Sequence, residues 1–425
     1  MKTVSLIFLC AAFFSCGFFN EDNEPAYRAK IAWDSGLYSN MHDAHTVDGD
    51  SVFFYERPPK YDHVNIYTLT RLDARTGSLV WRSSLFSNIL RCQPVAVDNY
   101  IYVFTGRDTM LSFDRETGGH KATARLRHDG GKLELNYNVA AYRQYIYISF
   151  QAGSGYSSYF GRVDVNTISQ NEDPQNIQII SPEVIWQPDT VNPVHAKPVI
   201  YKNIIYTGTR IVLYPPDEPV ELAGFNIDTK EMVFHAVFGG AEDMGKRIRF
   251  PETGPGLRGN PILIHNDILY YLSWSLNAWD LNTGEKLYRH VFTNDVPIPQ
   301  LHYNKTCLQQ LYHNGNIYYT SGSGNNGWRQ LHCINAETGK LVWNTVPEDI
   351  RESIVTNPII ADGKIYLAYY YGLFVYDTKD GKLLGVDRNF CGAGMGRNIL
   401  YNDLMICVRK NRDTGRNSLV AVDLK

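Results

Sequence analysis

Residues 357–386 read NPIIADGKIYLAYYYGLFVYDTKDGKLLGV, and the architecture of the chain follows from them. Four short apolar runs, PIIA, KIYLAYY, GLFVYD and KLLGV, are separated by turns, two of which, ADGK and TKDGK, contain a Gly to supply the positive φ of a tight turn. The pattern predicts a four-stranded antiparallel meander. Asp377 ends the third strand, where its short side chain can bond the backbone of the turn that follows.

The same unit recurs along the chain. LTRLDARTGSLVW, LSFDRETGGHKA, GRVDVNTIS, LAGFNIDTKEMVF, LNAWDLNTGEKLY, LHCINAETGKLVW, LFVYDTKDGKLLG and LVAVDLK align on Asp73, Asp114, Asp164, Asn226, Asp280, Asn335, Asp377 and Asp423, 41 to 62 residues apart. In the fuller copies Thr-Gly follows three residues after the anchor, and an aromatic stands four residues beyond that Gly. A single meander cannot bury both of its faces, so units repeating at this period radiate around an axis. The expected fold is all-β: one eight-bladed β-propeller of four-stranded antiparallel blades over residues 27–425. The eighth copy stops before a fourth strand, while YRAKIAWDSG at residues 27–36 is an orphan strand with Trp33 in the place held by Trp81 and Trp343. The N-terminal strand is expected to complete the last blade and close the ring, which removes two open sheet edges.

Composition agrees. The 425 residues are 44% hydrophobic and 13% aromatic, with 29 Tyr, which suits a β-rich core. A formal charge of −3 offers no basic field for a phosphate backbone, so nucleic acid is not an expected partner.

Residues 1–15, with Lys2 before an apolar run from Val4 to Phe14, read as a signal peptide, too short for a permanent span. Ser15-Cys16-Gly17 resembles the cleavage site of bacterial lipoproteins, with Phe13 and Phe14 departing from the usual box. Lipidation of Cys16, a tether over residues 16–26, and a place in the bacterial cell envelope, on its periplasmic side or outer surface with membrane contact only through the anchor, are the expectations. The remaining five cysteines, 92, 307, 333, 391 and 407, form no CxxC, and no metal site is expected. His42 and His45 in NMHDAH, and the DGD at residues 48–50, read as solvated or bonded histidines and as a turn.

A meander places the turns between its first and second and its third and fourth strands on one face, and all other connections on the opposite face. The first set is short, apart from SQNEDPQNIQIISPE in blade three. The second set is long: ERPPKYDHVN, QAGSGYSSYF, RIVLYPPDEPVE, SGSGNNGWRQ, RKNRDTGRN and FGGAEDMGKRIRFPETGPGLRGN. Recognition is expected on this elaborated face. Candidate contacts there are the basic run with Arg247, Arg249 and Arg258, and the aromatics Tyr156 and Trp328. Aligning the innermost strands on their first turns puts Asp43, Gln93, Tyr137, Lys197, Asn260, Gln309, Asn357 and Arg397 in one position around the channel mouth, a candidate polar funnel for a ligand or a partner's side chain.

The D-xx-TG-xxx-W pattern resembles the pyrroloquinoline-quinone-type propeller repeat of quinoprotein dehydrogenases and of a noncatalytic lipoprotein in the outer-membrane barrel-assembly machinery. The resemblance spans nearly all of residues 27–425. The dehydrogenase branch implies a vicinal cysteine pair, a Trp floor, a calcium held by oxygen ligands and a catalytic Asp. No two cysteines are adjacent here, so no cofactor and no catalytic residues are expected. The reading is a lipid-anchored, noncatalytic scaffold for an envelope protein or peptide. A carbohydrate or small-molecule binder is the alternative, and a quinone-dependent dehydrogenase the third.

Overall fold

The computed structural model describes residues 27–38, 45–58, 60, 65–87, 92–106, 108–152, 157–170, 176–189, 194, 196–209, 220–238, 262–272, 275–291, 310–322, 329–345, 357–369, 372–390, 392, 398–411 and 414–425. Blade seven has the predicted strands Ile359–Ala361, Lys364–Tyr369, Gly372–Asp377 and Leu383–Asp387, hydrogen-bonded in that order. Eight such four-stranded units are present among the described residues. Their first strands are His45–Asp48, Val95–Val97, Gly131–Tyr142, Val199–Tyr201, Ile262–His265, Leu311–His313, Ile359–Ala361 and Ile399–Tyr401. These strands are innermost, since first strands of adjacent blades touch, as Val199–Tyr201 does Ile262–His265. The fourth strands lie at the rim, with Leu79, Val80, Met232, Val233 and Val342 exposed.

Closure occurs as the sequence implies. Lys30–Tyr38 pairs antiparallel with Asn417–Asp423, in the register Lys30 to Asp423 and Trp33 to Ala421, and supplies the fourth strand of blade eight. Each seam between neighbouring blades then holds its own apolar cluster, eight in all, from Phe53, Tyr55, Ile101 and Val103 between blades one and two to Trp33, Phe54, Ile406 and Val408 between blades eight and one.

Two features go beyond the repeat. Blades two and three form one continuous sheet, because the fourth strand of blade two, His120–His128, turns at Asp129-Gly130 directly into Gly131–Tyr142. Both turn residues have positive φ, 50° and 73°, as a two-residue hairpin requires. One connection on the elaborated face is therefore a tight hairpin and not a long loop. The blade-three insertion does contain a strand, Ile177–Ile180, but it pairs in parallel with His120–His128 and extends blade two. Gln178 and Ser169 exchange two hydrogen bonds at its base, and Gln170 accepts from Ser112 and donates to Tyr102.

Candidate binding face

The two faces of the ring differ in how their polar groups are used. On the turn face the residue after each anchor donates its backbone N–H to the first turn of the same blade, as Ala74 to Asp50, Ile227 to Asn203 and Leu281 to Asp267. The anchors act as the sequence suggests: one Asp73 carboxylate oxygen accepts from Arg75 N, Thr76 N and the Thr76 hydroxyl at 2.8 to 3.0 Å. Ion pairs then cross from blade to blade, with Arg115 to Asp48 at 2.5 Å, Arg71 to Glu116 at 2.8 Å, Arg143 to Asp228 at 2.7 Å and Lys202 to Asp267 at 2.6 Å. Asp50 is bound by both Arg75 and Tyr401, so the DGD segment is a turn tied to its neighbour. Hydrogen bonds hold several of these carboxyls below their ordinary range: from Asn203 at Asp228, from Lys202 at Asp267 and from Tyr401 at Asp50.

At the opposite ends of the strands, polar side chains tie neighbouring inner strands together. Asn357 and Asn398 exchange three hydrogen bonds of 2.7 to 2.8 Å across blades seven and eight. Gln310 donates to Tyr270 O, Asn136 to Val194 O and Thr46 to Pro94 O. The buried Glu56 accepts from Arg82 at 2.6 and 3.2 Å and from Thr70 at 2.9 Å. Burial alone would raise the Asp108 carboxyl, but its bonds from Arg127 and Thr109 hold it low. His128, at the tip of the blade-two hairpin, packs on Tyr159 with ring centroids 4.7 Å apart.

Of the funnel candidates, Gln93 and Lys197 are half-buried beside the inner strands of blades two and four, and Tyr137 lies within the long first strand of blade three. Asn357 is 5% exposed and fully engaged with Asn398, which makes it a tie between blades and not an open donor to a ligand. Cys16, Asp43, Asn260, Gln309 and Arg397 lie outside the described residues, as do Arg247, Arg249, Arg258, Tyr156, Trp328 and His42. His45 is buried in the first strand of blade one.

The repeat's aromatic position latches the seams, together with second-strand tyrosines and Arg162, which the repeat did not reveal. Trp33 Nε1 donates to Ala74 O, Trp81 Nε1 to Arg115 O, and Trp343 Nε1 to Thr378 O, each reaching the turn of the next blade at 3.0 to 3.1 Å. Hydroxyls of Tyr270, Tyr318 and Tyr366 reach the corresponding carbonyls of Ala336, Thr378 and Leu424. Between blades three and four the donor is Arg162, bonded to Ile227 O and to Glu183, both at 2.8 Å. The signal was available: an Ile-Tyr or Leu-Tyr pair closely follows the first turn in blades two to seven.

The resemblance to quinoprotein dehydrogenases implies a vicinal cysteine pair, and the described cysteines form no such pair. Cys92, Cys333 and Cys407 sit in three different seams, and burial pushes their thiols up to about 12, 11 and 12. Trp279 is buried between blades four and five. No helix among the described residues is long and apolar enough to cross a membrane.

Comparison with known proteins finds likeness to an assembly factor and to quinone-dependent dehydrogenases. The family described as outer membrane protein assembly factor BamB matches at residues 67–153 and 275–388. A curated relative, the dehydrogenase subunit of a quinone alcohol dehydrogenase from Gluconobacter oxydans, is 26% identical over 153 residues; the match covers 31% of this chain and only 19% of that protein. Among solved structures, BamB from Moraxella catarrhalis superposes with a TM-score of 0.56 at 13% identity, covering 92% of this chain and 97% of the other. A europium-containing methanol dehydrogenase gives a TM-score of 0.61 at 11% identity, covering 93% of both chains. Likeness at these identities concerns the fold alone.

Proposed function

We propose, for a chain whose repeats are those of the pyrroloquinoline-quinone-type propeller family, a role as a noncatalytic scaffold of the bacterial envelope that binds a protein or peptide partner through its elaborated face. The observation that carries this reading is the asymmetry of the ring. On the turn face several charges pair from blade to blade, whereas the long connections leave from the opposite ends of strands already fixed by inter-blade ties. A rigid rim with elaborated loops suits recognition. Arg247, Arg249 and Arg258 supply the charge of the contact, Tyr156 and Trp328 its aromatic anchors, and lipid on Cys16 holds the protein to the envelope. The quinone-dependent relative keeps a dehydrogenase in view as a second reading, which the cysteine placement disfavours.

The test is affinity capture of the tagged full chain from gently solubilised envelopes, in parallel with the Arg247→Ala, Arg249→Ala, Arg258→Ala triple variant. A near-stoichiometric envelope protein held by the parent and lost from the triple variant supports the scaffold. A partner retained by both sinks the assignment of the face. Dye reduction after reconstitution with quinone and calcium would instead establish the enzyme.

A further inference from the structure

Four seams share one device in which a ring lies flat on a glycine. A Cβ on Gly77 would meet Trp33 at 2.6 Å, one on Gly118 would meet Trp81 at 2.5 Å, one on Gly381 would meet Trp343 at 2.5 Å, and one on Gly339 would collide with Tyr288. In each case the ring's own N–H or O–H donates to the carbonyl three residues before that glycine, Tyr288 to Ala336 O at 2.9 Å among them. Occupant and seat are thus defined four times within one chain: a glycine at positive φ, a carbonyl acceptor, and an aromatic side chain that carries a donor.

Blade five has the same turn with no described residue in the seat. Asp280 Oδ1 accepts from Asn282 N and Thr283 N, and Gly284 N donates to Asp280 O at 2.8 Å. Gly284 has φ +75°, no atom of the described residues lies within 4 Å of a built Cβ, and it is exposed. Gly118, Gly339 and Gly381 are buried. The residue of blade four in register for the seat is Phe234, which has no donor and does not come within 4 Å of a Cβ built on Gly284, while its ring meets Tyr206 at 6.0 Å between centroids, much as the seated Trp81 and Trp343 meet Phe53 and Tyr318.

We propose that the Asp280–Glu285 turn, at the rim between blades four and five, is a docking seat for a tryptophan or tyrosine side chain of a partner protein. The chemistry of the occupant is set by the four filled copies: a flat ring against the glycine and a side-chain N–H or O–H directed at Leu281 O. The seat lies on the turn side of the ring, so it is separate from the elaborated face and survives if that reading fails.

The experiment titrates the isotope-labelled full chain with acetyl-Gly-Trp-Gly-amide and its Tyr, Phe and Ala counterparts, followed at the Gly284 amide by NMR. The Trp and Tyr peptides should shift Gly284 saturably, the Phe peptide should bind about fivefold more weakly for want of its hydrogen bond, and the Ala peptide should leave it unmoved. Gly284→Asn, followed at the neighbouring Thr283 and Glu285 amides, should abolish the response, because any Cβ occupies the seat. The turn tolerates that change, since Lys230 stands at the corresponding place in blade four with φ 65° and Asn accepts this conformation. Phe234→Trp should also abolish it by filling the seat from within. Unsaturable shifts, equal binding of the Ala peptide, or a folded Gly284→Asn protein that binds the Trp peptide unchanged would overturn the proposal.

Discussion

Gly118 and Trp81 show how much can turn on a missing methyl group. With φ +73° and the indole where its Cβ would be, Gly118 has no tolerable replacement, since Ala would suffer both the left-handed backbone penalty and the clash. Gly118→Ala should cost about 2–4 kcal/mol in denaturant unfolding, the sum of the two terms. Gly415→Ala, at φ +67° with open space around it, should cost only about 1–2 kcal/mol. Arg162 does at its seam what tryptophan does elsewhere, so Arg162→Ala should lose about 2 kcal/mol by the same measurement, through the bonds to Ile227 O and Glu183. Glu183→Gln should lose less than about 1 kcal/mol, because that carboxylate is 44% exposed.

Strands and tight turns were legible because period-two apolar alternation and a glycine at positive φ leave local marks, as in residues 357–386. Closure was legible from an arithmetic of missing strands. The parallel Ile177–Ile180 strand left no such mark, since its partner lies in the preceding blade, and neither did the hairpin at Asp129, whose flanking RLRH looks solvated although it pairs. The Asn357–Asn398 tie was not legible, since alignment set Asn357 beside Arg397, one residue before its actual partner. The loop-face arginines remained a matter of charge alone. The closing strand yields a direct prediction: removing residues through Tyr38 bares the edge of Asn417–Asp423 and empties the seat on Gly77. The truncated chain should lose its single cooperative melt and associate in sedimentation.

For the ring as a whole, every seam is both a core and a set of polar latches, so unfolding is expected to be all-or-none across the eight blades. Acid should be the mildest way to undo it. Asp50, Asp114, Asp228, Asp267 and Glu183 are held below their ordinary pKa in the folded ring, chiefly by hydrogen bonds from Tyr401, Thr117, Asn203, Lys202 and Lys230 respectively. The unfolded chain therefore takes up protons first as pH falls. The stabilisation is complete above the ordinary carboxylate range and is lost below about pH 4, which a series of thermal melts from pH 7 to pH 3 would show as a steep drop at the acid end.

The closing strand also marks where a lipid anchor on Cys16 would join the ring. Tyr27 donates to Val386 O, so the chain joins the ring at its outer edge, in the seam of blades seven and eight. If Cys16 carries the lipid, residues 16–26 can reach at most about 38 Å, and the attachment point is the rim and not the axis. On the proposed anchoring, blades seven and eight lie nearest the attachment point and blades three and four farthest from it, so that neither flat face carries the attachment.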